Sequence, residues 1–546
     1  MAGVKYVKRT SAAAPATKAA ATTKATTTKA APKKAAVTAK ASTKTNGTTA
    51  KAKAPAPKKS AASAVAKKPA AVEAKPKVSR KRKASDEPEP VLVKKVKTIP
   101  KGEVINKVPT QRLDVYVFGE GSSGELGLGT SKKAIDVKRP RLNANLTADA
   151  VGVVQISVGG MHTAALTHDN KILTWGVNDQ GALGRDTAWE GGLKDIDDNK
   201  SEDSDDDDDD DAGLNPREST PTAIPSDKFS EGTVFVQVAA GDSTTFALTD
   251  DGQVWGWGTF RSNEGIFGFT ADVLVQREPM LLTTLKKIKK ITCGANHVLA
   301  LDSKGAVFAW GSGQQNQLGR RVVERTKTQG LVPREFGLPK KSIIDVECGQ
   351  YHSFAIDTSD RVWAWGLNNY GETGIPQGAG EDDAVVLKPE VVKTLSSRGI
   401  TCIRGGAHHS IAVTSDGECL TWGRLDGCQV GIKLSDIPLD DIIKDQHGKL
   451  RILKVPTKVS AIPDPVATAT ASSDHCIAVT KKGHAYSWGF SANYQTGLGT
   501  DDDVPVATLI DNTAVRGKNL NGAFSGGQFG ILTAPASQGQ LANGVH

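Results

Sequence analysis

Beyond residue 113 the chain repeats one pattern: a run of small apolar residues, a tight turn, then a β-branched and aromatic run ending on Trp-Gly. Trp-Gly stands at 175–176, 257–258, 310–311, 365–366, 422–423 and 488–489, with Phe118-Gly119 as a variant. The intervals from Trp175 onward are 82, 53, 55, 57 and 66 residues, and Phe118 precedes Trp175 by 57. Upstream of the Trp-Gly pairs lies a second signature, as in Gly160-Met-His162, Gly294-Ala-Asn-His297, Gly349-Gln-Tyr-His352 and Gly406-Ala-His408-His409. Apolar positions alternate at nearly period two and glycine interrupts every candidate helix, so each run reads as a strand and each pair of runs as a hairpin. A period of about 50–60 residues built from such runs predicts a propeller with one four-stranded antiparallel blade per repeat. Glycine then permits close backbone approach near the axis, and the tryptophans pack between blades.

The ends of the repeat region predict how the ring closes. It opens on a Trp-Gly-type strand at 114–119 with no hairpin partner before it, and finishes on the other type at 526–532 with no Trp-Gly strand after it. Six complete units and two complementary halves predict an all-β, seven-bladed propeller over 113–533. Pairing of the N- and C-terminal strands would close it and remove two open edges. The blade shared by the two ends is numbered one. Residues 534–546 read as a flexible C-terminus.

Charge is divided unevenly along the chain. The formal net charge is +9, yet residues 1–110 carry 27 Lys and Arg against five acids, +22, which leaves −13 for the rest. Residues 1–112 are rich in Lys, Ala, Thr and Pro, with Tyr6 as the only aromatic. Such a segment cannot bury enough surface to offset its ordering entropy and reads as a disordered tail. Its spaced lysines, among them Lys58, Lys59, Lys67 and Lys68, suit a phosphate backbone, where counterion release gives affinity without sequence reading. A merely solubilising tail is the bland alternative. Arg80-Lys81-Arg82-Lys83 and the later Lys94, Lys95 and Lys97 flank the spacer 84–93 and resemble a bipartite nuclear import signal over 80–97, which implies an import receptor. A second concentration of charge, 195–211, holds twelve acids against Lys200 and falls in the longest repeat interval. It reads as a disordered loop insertion; a sharper alternative has it fold back on the basic tail or compete with DNA for it.

Other chemistries fall away. No stretch of about 18 uncharged apolar residues occurs, so no transmembrane helix and no membrane partner are expected. The N-terminus lacks the apolar core of a secretory signal, and its Lys-rich start is long for a transit peptide. The six cysteines form no CxxC pair and read as free thiols of a reducing compartment. His162, His297, His352, His409 and His475 recur at one repeat position that Thr244 and Phe529 occupy elsewhere. They are expected to be structural, each bonding backbone within its own blade, and no metal or other cofactor is expected. Gly119-x-Gly121-x-x-Gly124 follows a strand, but no helix follows it and Gly311-Ser-Gly313 repeats it, so it is turn chemistry and not a dinucleotide fingerprint. The chain has neither a phosphate-binding loop motif nor a Gly-x-Ser-x-Gly elbow, so it need not bind nucleotide itself and a hydrolase is disfavoured.

With the repeat, tail and closure in place, the chain resembles the regulator of chromosome condensation family, nuclear exchange factors for the GTPase Ran. The repeat consensus is shared by relatives with other functions, but the segment Trp257-Gly-Thr-Phe-Arg261-Ser-Asn263-Glu-Gly265-Ile-Phe-Gly268 is similar to the family's wedge, a short β-projection from the third blade. Val177-Asn-Asp179-Gln-Gly181-Ala-Leu-Gly-Arg185-Asp186 is likewise close to the family sequence. The resemblance implies exchange catalysis without covalent chemistry: tighter binding of the nucleotide-free GTPase, so that nucleotide leaves faster. It implies a wedge of Arg261, Ser262, Asn263, Glu264, Gly265, Ile266 and Phe267, with His162, Asp242, Arg320 and His408 at GTPase-contact positions on the same face. Two positions depart from the family: its acidic residue in blade three's turn is Asn296 here, and an acidic contact in blade one is Ser122. Arg321, Arg325 and Lys327 fall in a blade-four loop that in the family approaches the acidic histone surface; an ordinary solvated loop fits equally. The expected partners are therefore Ran, DNA and nucleosomes, and an import receptor, for a monomer in the nucleus. A chromatin adaptor without exchange activity, and a repeat domain serving another GTPase or a ubiquitin-type pathway, are the alternatives.

Overall fold

The computed structural model describes residues 101–191 and 211–536. They form seven blade sheets, six of them consecutive in sequence and one built from both ends of the repeat region, and a separate two-stranded hairpin. Blade five shows the plan, with strands Ile343–Cys348, His352–Asp357, Val362–Leu367 and Val385–Val391 running from the axis outward. The innermost strands of all seven blades line one central cavity of about 240 Å³. Second strands such as His352–Asp357, His409–Thr414 and His475–Thr480 are buried along their whole length. Neighbouring blades cover both faces of these strands, which is why their sequences read as unbroken small apolar runs.

Tryptophan joins the blades as expected, and by a specific bond. Trp175, Trp257, Trp365, Trp422 and Trp488 are fully buried, and each indole Nε1 donates across the blade boundary to a loop carbonyl of the preceding blade. The acceptors are Glu125 (2.9 Å), Ala182 (2.8 Å), Gln317 (2.9 Å), Glu372 (2.9 Å) and Gln429 (2.8 Å) respectively. Each of these five thus contributes apolar area and leaves no orphaned N–H.

The histidine column is structural, but not in the way expected. Its side chains bond the next blade, not backbone within their own. His162 Nε2 meets Thr245 Oγ1 at 2.8 Å, His297 meets Ser353 at 2.8 Å, His352 meets Ser410 at 2.7 Å and His409 meets Cys476 Sγ at 3.1 Å. The partner is always the residue after the column position in the following blade. Where that residue is Gly530, His475 Nε2 has no protein partner, and where Phe529 replaces the histidine, Thr163 Oγ1 has none.

Burial holds these imidazoles neutral: it pushes His162 and His475 down to about 4, and His297 and His409 down to about 3. A histidine that binds its proton only when unfolded subtracts stability below its unfolded pKa of about 6.5, by up to about 1.4 kcal/mol per pH unit each. The urea midpoint is therefore expected to hold above pH 7 and to fall steadily from pH 6.5 towards pH 4. A midpoint independent of pH over that window would contradict the assignment of neutral buried imidazoles.

Closure is as the two half-repeats predict. Leu113–Glu120 pairs antiparallel with Phe529–Pro535, from Leu113↔Pro535 to Gly119↔Phe529, in a sheet ordered Asp136–Leu142, Leu113–Glu120, Phe529–Pro535, Gly522–Ser525. The last strand runs two residues past the expected boundary, because Ala534 is buried and paired with Asp114. At the other end, part of the expected tail lies on the propeller. Ile105 and Asn106 donate their N–H groups to the Asp250 carbonyl (2.8 and 2.9 Å), Lys101 pairs with the Asp250 carboxylate at 2.8 Å, and Asn106 Nδ2 reaches the carbonyls of Thr249 and Ile288. These backbone bonds at the edge of blades three and four have no signature in hydrophobic pattern. The expected tail lysines (Lys58, Lys59, Lys67, Lys68), the import signal over 80–97 and all but Asp211 of the acidic insertion lie outside the described residues.

Candidate protein-binding face

In each blade the connections from first to second strand and from third to outer strand emerge at one end, and the remaining turns at the other. Asp242, Asn296, His408, Ser122, the segment 261–267 and the loop bearing Arg321, Arg325 and Lys327 all fall on the first set and so share one face of the ring. The anchored segment 101–106 meets the 249–252 turn, at the opposite face.

Blade three carries a hairpin between third and outer strand, Phe260–Ser262 paired with Gly265–Gly268, with Asn263 and Glu264 at its tip. Its base is rooted by aromatic packing: Phe260 is fully buried, stacked at 6.2 Å on Phe269 and at 6.3 Å on Phe246. Gly265 and Gly268 take φ of +115° and +126°, which glycine adopts without strain. Blade four braces the flank: Asn296 Oδ1 accepts from Arg261 N–H at 2.7 Å, and Gln314 Oε1 accepts from Asn263 N–H at 2.8 Å. Lys327 Nζ holds the tip through Glu264 (2.7 Å) while also pairing with Glu324 (2.6 Å). The hairpin therefore projects as a fixed element, with Ile266 52 % exposed on it.

At the foot of the hairpin lies a polar well of about 200 Å³, lined by Asp242, Arg261, Asn263, Asn296, Gln317 and Tyr351 among others. Burial raises the Asp242 pKa, with Arg261 opposing, and the Tyr351 hydroxyl is raised by burial and by the nearby Asp242 charge. Among the described residues no cation is hydrogen-bonded to this partly buried carboxyl group, so it can accept one from outside.

The structure corrects several site expectations. Asn296 lies in blade four, on the turn between Ile288–Cys293 and His297–Asp302, and serves blade three by capping the hairpin across the boundary. His162 is 1 % exposed and spent on Thr245, so it supports its loop from beneath and leaves the adjacent Met161, 48 % exposed, as the surface residue. Arg320 is turned inward to the carbonyls of Ala309 and Val332 (3.3 Å each), and burial lowers it to about 10. Lys327 is committed to the hairpin tip, whereas Arg321 and Arg325 are exposed.

The remaining expected residues stand on the face. His408 is half-buried, its Nδ1 3.6 Å from the buried Glu372 carboxylate and its ring 4.7 Å from that of Tyr370. Ser122 stands beside an acid: Ser122 Oγ donates to Glu120 Oε1 at 2.7 Å, and Asn493 Nδ2 donates to Glu120 Oε2 at 2.8 Å. Glu120, Met161, Tyr351 and Tyr370 were not singled out by sequence. Their common signal is a polar or large side chain within two residues of a repeat glycine at the loops of this face.

Comparison with known proteins identifies the family of the propeller. The profile of the RCC1-like domain covers residues 114–532. The guanine nucleotide exchange factor SRM1 of Saccharomyces cerevisiae is 44 % identical over 429 residues, 77 % of this chain and 87 % of that protein. The regulator of chromosome condensation of Homo sapiens is 30 % identical over 431 residues, 77 % and 90 % of the two chains. Among solved structures, Prp20p from Saccharomyces cerevisiae, described with its binding properties to Gsp1p and histones, superposes with a TM-score of 0.71 at 40 % identity, covering 79 % of this chain and 93 % of that one. A second, of Kap60 bound to yeast RCC1 (Prp20), superposes equally at 39 % identity over 82 % and 96 % of the chains. On the profile match and these identities, the chain belongs to the RCC1-like domain family.

Proposed function

We propose that this chain is a chromatin-bound guanine nucleotide exchange factor for the nuclear GTPase Ran. The braced hairpin of blade three carries the reading: a rigid projection with an exposed apolar side chain beside a desolvated carboxylate suits insertion against another protein. Its work is differential binding. Each tenfold acceleration of nucleotide release requires the face to bind the transition state for release about 1.4 kcal/mol more tightly than the loaded GTPase, with no bond made or broken. Wedge residues Arg261 to Phe267 would press on the nucleotide site, while Asp242 and Tyr351 take a cationic side chain that otherwise serves the nucleotide. His408, Glu120 and Ser122 would hold the rest of the interface. Relatives whose names carry exchange activity, and a solved relative described with its binding to Gsp1p and histones, support the same reading.

For chromatin, exposed Arg321 and Arg325 suit an acidic histone surface, and the basic tail suits DNA. The segment 80–97 suits an import receptor, as in the solved complex of yeast RCC1 with Kap60. The reading places the protein in the nucleus.

Mixing the protein with GDP-loaded Ran and removing free nucleotide should give a stable binary complex on gel filtration. Added GDP or GTP should dissolve that complex. A complex indifferent to nucleotide would favour the adaptor reading, and no complex would end the exchange reading.

A further inference from the structure

Blade six departs from the four-stranded plan. Its sheet has five strands, ordered Ile400–Gly405, His409–Thr414, Cys419–Arg424, Leu450–Lys458 and Ile442–Lys444, because the connection from third to outer strand folds into a hairpin of its own. The turn at 445–449 is a closed unit: Asp445 N–H donates to the Lys449 carbonyl at 2.9 Å, and Asp445 Oδ1 accepts from the N–H groups of His447 and Lys449, each at 2.8 Å. By its connection type this hairpin rises on the same face as the wedge. Blades three and six are as far apart as two blades of a seven-membered ring can be.

Two residues beyond this turn is Arg451, whose carbonyl accepts from Leu425 N–H at 2.9 Å. The side chain reaches over to blade five. Its guanidinium lies 4.8 Å from the Tyr370 ring centroid, with Nη2 3.3 Å from the Tyr370 hydroxyl. Arg424 lies 5.4 Å from the same ring, and the His408 ring 4.7 Å away. The two arginines differ in what they already hold. Arg424 is paired with Asp426 at 2.7 Å and Asp474 at 3.8 Å, whereas Arg451 makes no ion pair among the described residues. A guanidinium stacked on an aromatic ring has lost much of its rotamer freedom and keeps its bidentate edge for a carboxylate, so little is lost on binding one.

We propose that the blade-six hairpin is a second grip on the GTPase, in which Arg451, presented on Tyr370, binds a surface carboxylate of Ran opposite the wedge. A wedge driven against one side of a bound protein gains purchase only if the other side is held. Two grips across the ring supply that hold. The proposal rests on the exchange-factor reading above.

The test compares Arg451→Gln, which keeps a planar polar end on a shorter side chain but loses the charge, with Arg451→Lys, which keeps the charge. GDP release is followed against Ran concentration at several salt concentrations, melting temperatures check the ring, and equilibrium binding to Ran is measured alongside. With Arg451→Gln, KM should rise by roughly five- to tenfold at low salt, kcat should stay within about twofold, and the salt dependence should flatten. Arg451→Lys, which keeps the charge but not the bidentate edge, should lose less affinity than Arg451→Gln and keep the salt dependence. Unchanged KM and salt dependence in the Gln variant would overturn the proposal. So would equal losses in both variants, which would mark Arg451 as packing only. A wild type that accelerates no GDP release would overturn the exchange reading instead, and Arg451 would then be judged on equilibrium binding, where equal affinity of wild type and Arg451→Gln overturns the grip.

Discussion

Removal of residues 113–119 should leave the protein without its cooperative melting transition. The segment supplies Val115, Tyr116, Val117 and Phe118, all fully buried, and the seven paired positions that join blade one to Phe529–Pro535. Burying such side chains contributes about 1.5–3 kcal/mol each, so four of them amount to roughly the 5–15 kcal/mol by which a whole domain is stable. The loss is not confined to blade one. The packing cluster around Phe118 reaches Trp175 of blade two and Ile477 of blade seven, so both neighbours lose a wall. The deletion also frees the edge of Phe529–Pro535, which invites pairing between chains. Calorimetry and light scattering of the deleted protein should show aggregation in place of a single transition. A melting temperature equal to that of the full chain would contradict closure by the two ends.

This large effect was legible in the sequence because it depends on which half-repeat stands at each end. The blade count and the hairpin of blade three were legible for a similar reason: Trp-Gly spacing and a distinctive run of residues are local. What the sequence hid depends on side chains meeting across blade boundaries. The histidine latch could have been seen, since Thr245, Ser353, Ser410 and Cys476 follow the column position in buried strands where an apolar residue would be expected. The inward turn of Arg320 was foreshadowed by Arg185, which follows the same Leu-Gly and likewise bonds a third-strand carbonyl, that of Thr174, at 2.7 Å. The blade-six hairpin was signalled only by a repeat interval of 66 residues where neighbouring intervals are 53 to 57. The anchoring of 101–106 had no signal, because its bonds are polar and two of them join backbone to backbone.

The second large effect concerns the wedge. Replacing residues 261–267 with a short glycine linker removes Ile266 and Glu264 from the face and leaves the buried Phe260 and Phe269 at the base. The ring should therefore melt as before, since the excised side chains are exposed or half-buried and the aromatic root stays. Exchange should not survive. A face that still grips the GTPase but no longer prefers its nucleotide-free state binds both states alike, and uniform binding accelerates nothing. Loss of about 3–4 kcal/mol of that preference would correspond to a fall of a hundred- to several hundredfold in the rate of release.

The direct measurement is stopped-flow release of a fluorescent GDP from Ran, with the full chain and with the 261–267 replacement at equal, saturating concentration. The full chain should accelerate release by orders of magnitude over Ran alone, and the replacement should release at close to the uncatalysed rate while still forming a complex. Equal acceleration by both proteins would show that the hairpin of blade three is not the element that expels nucleotide.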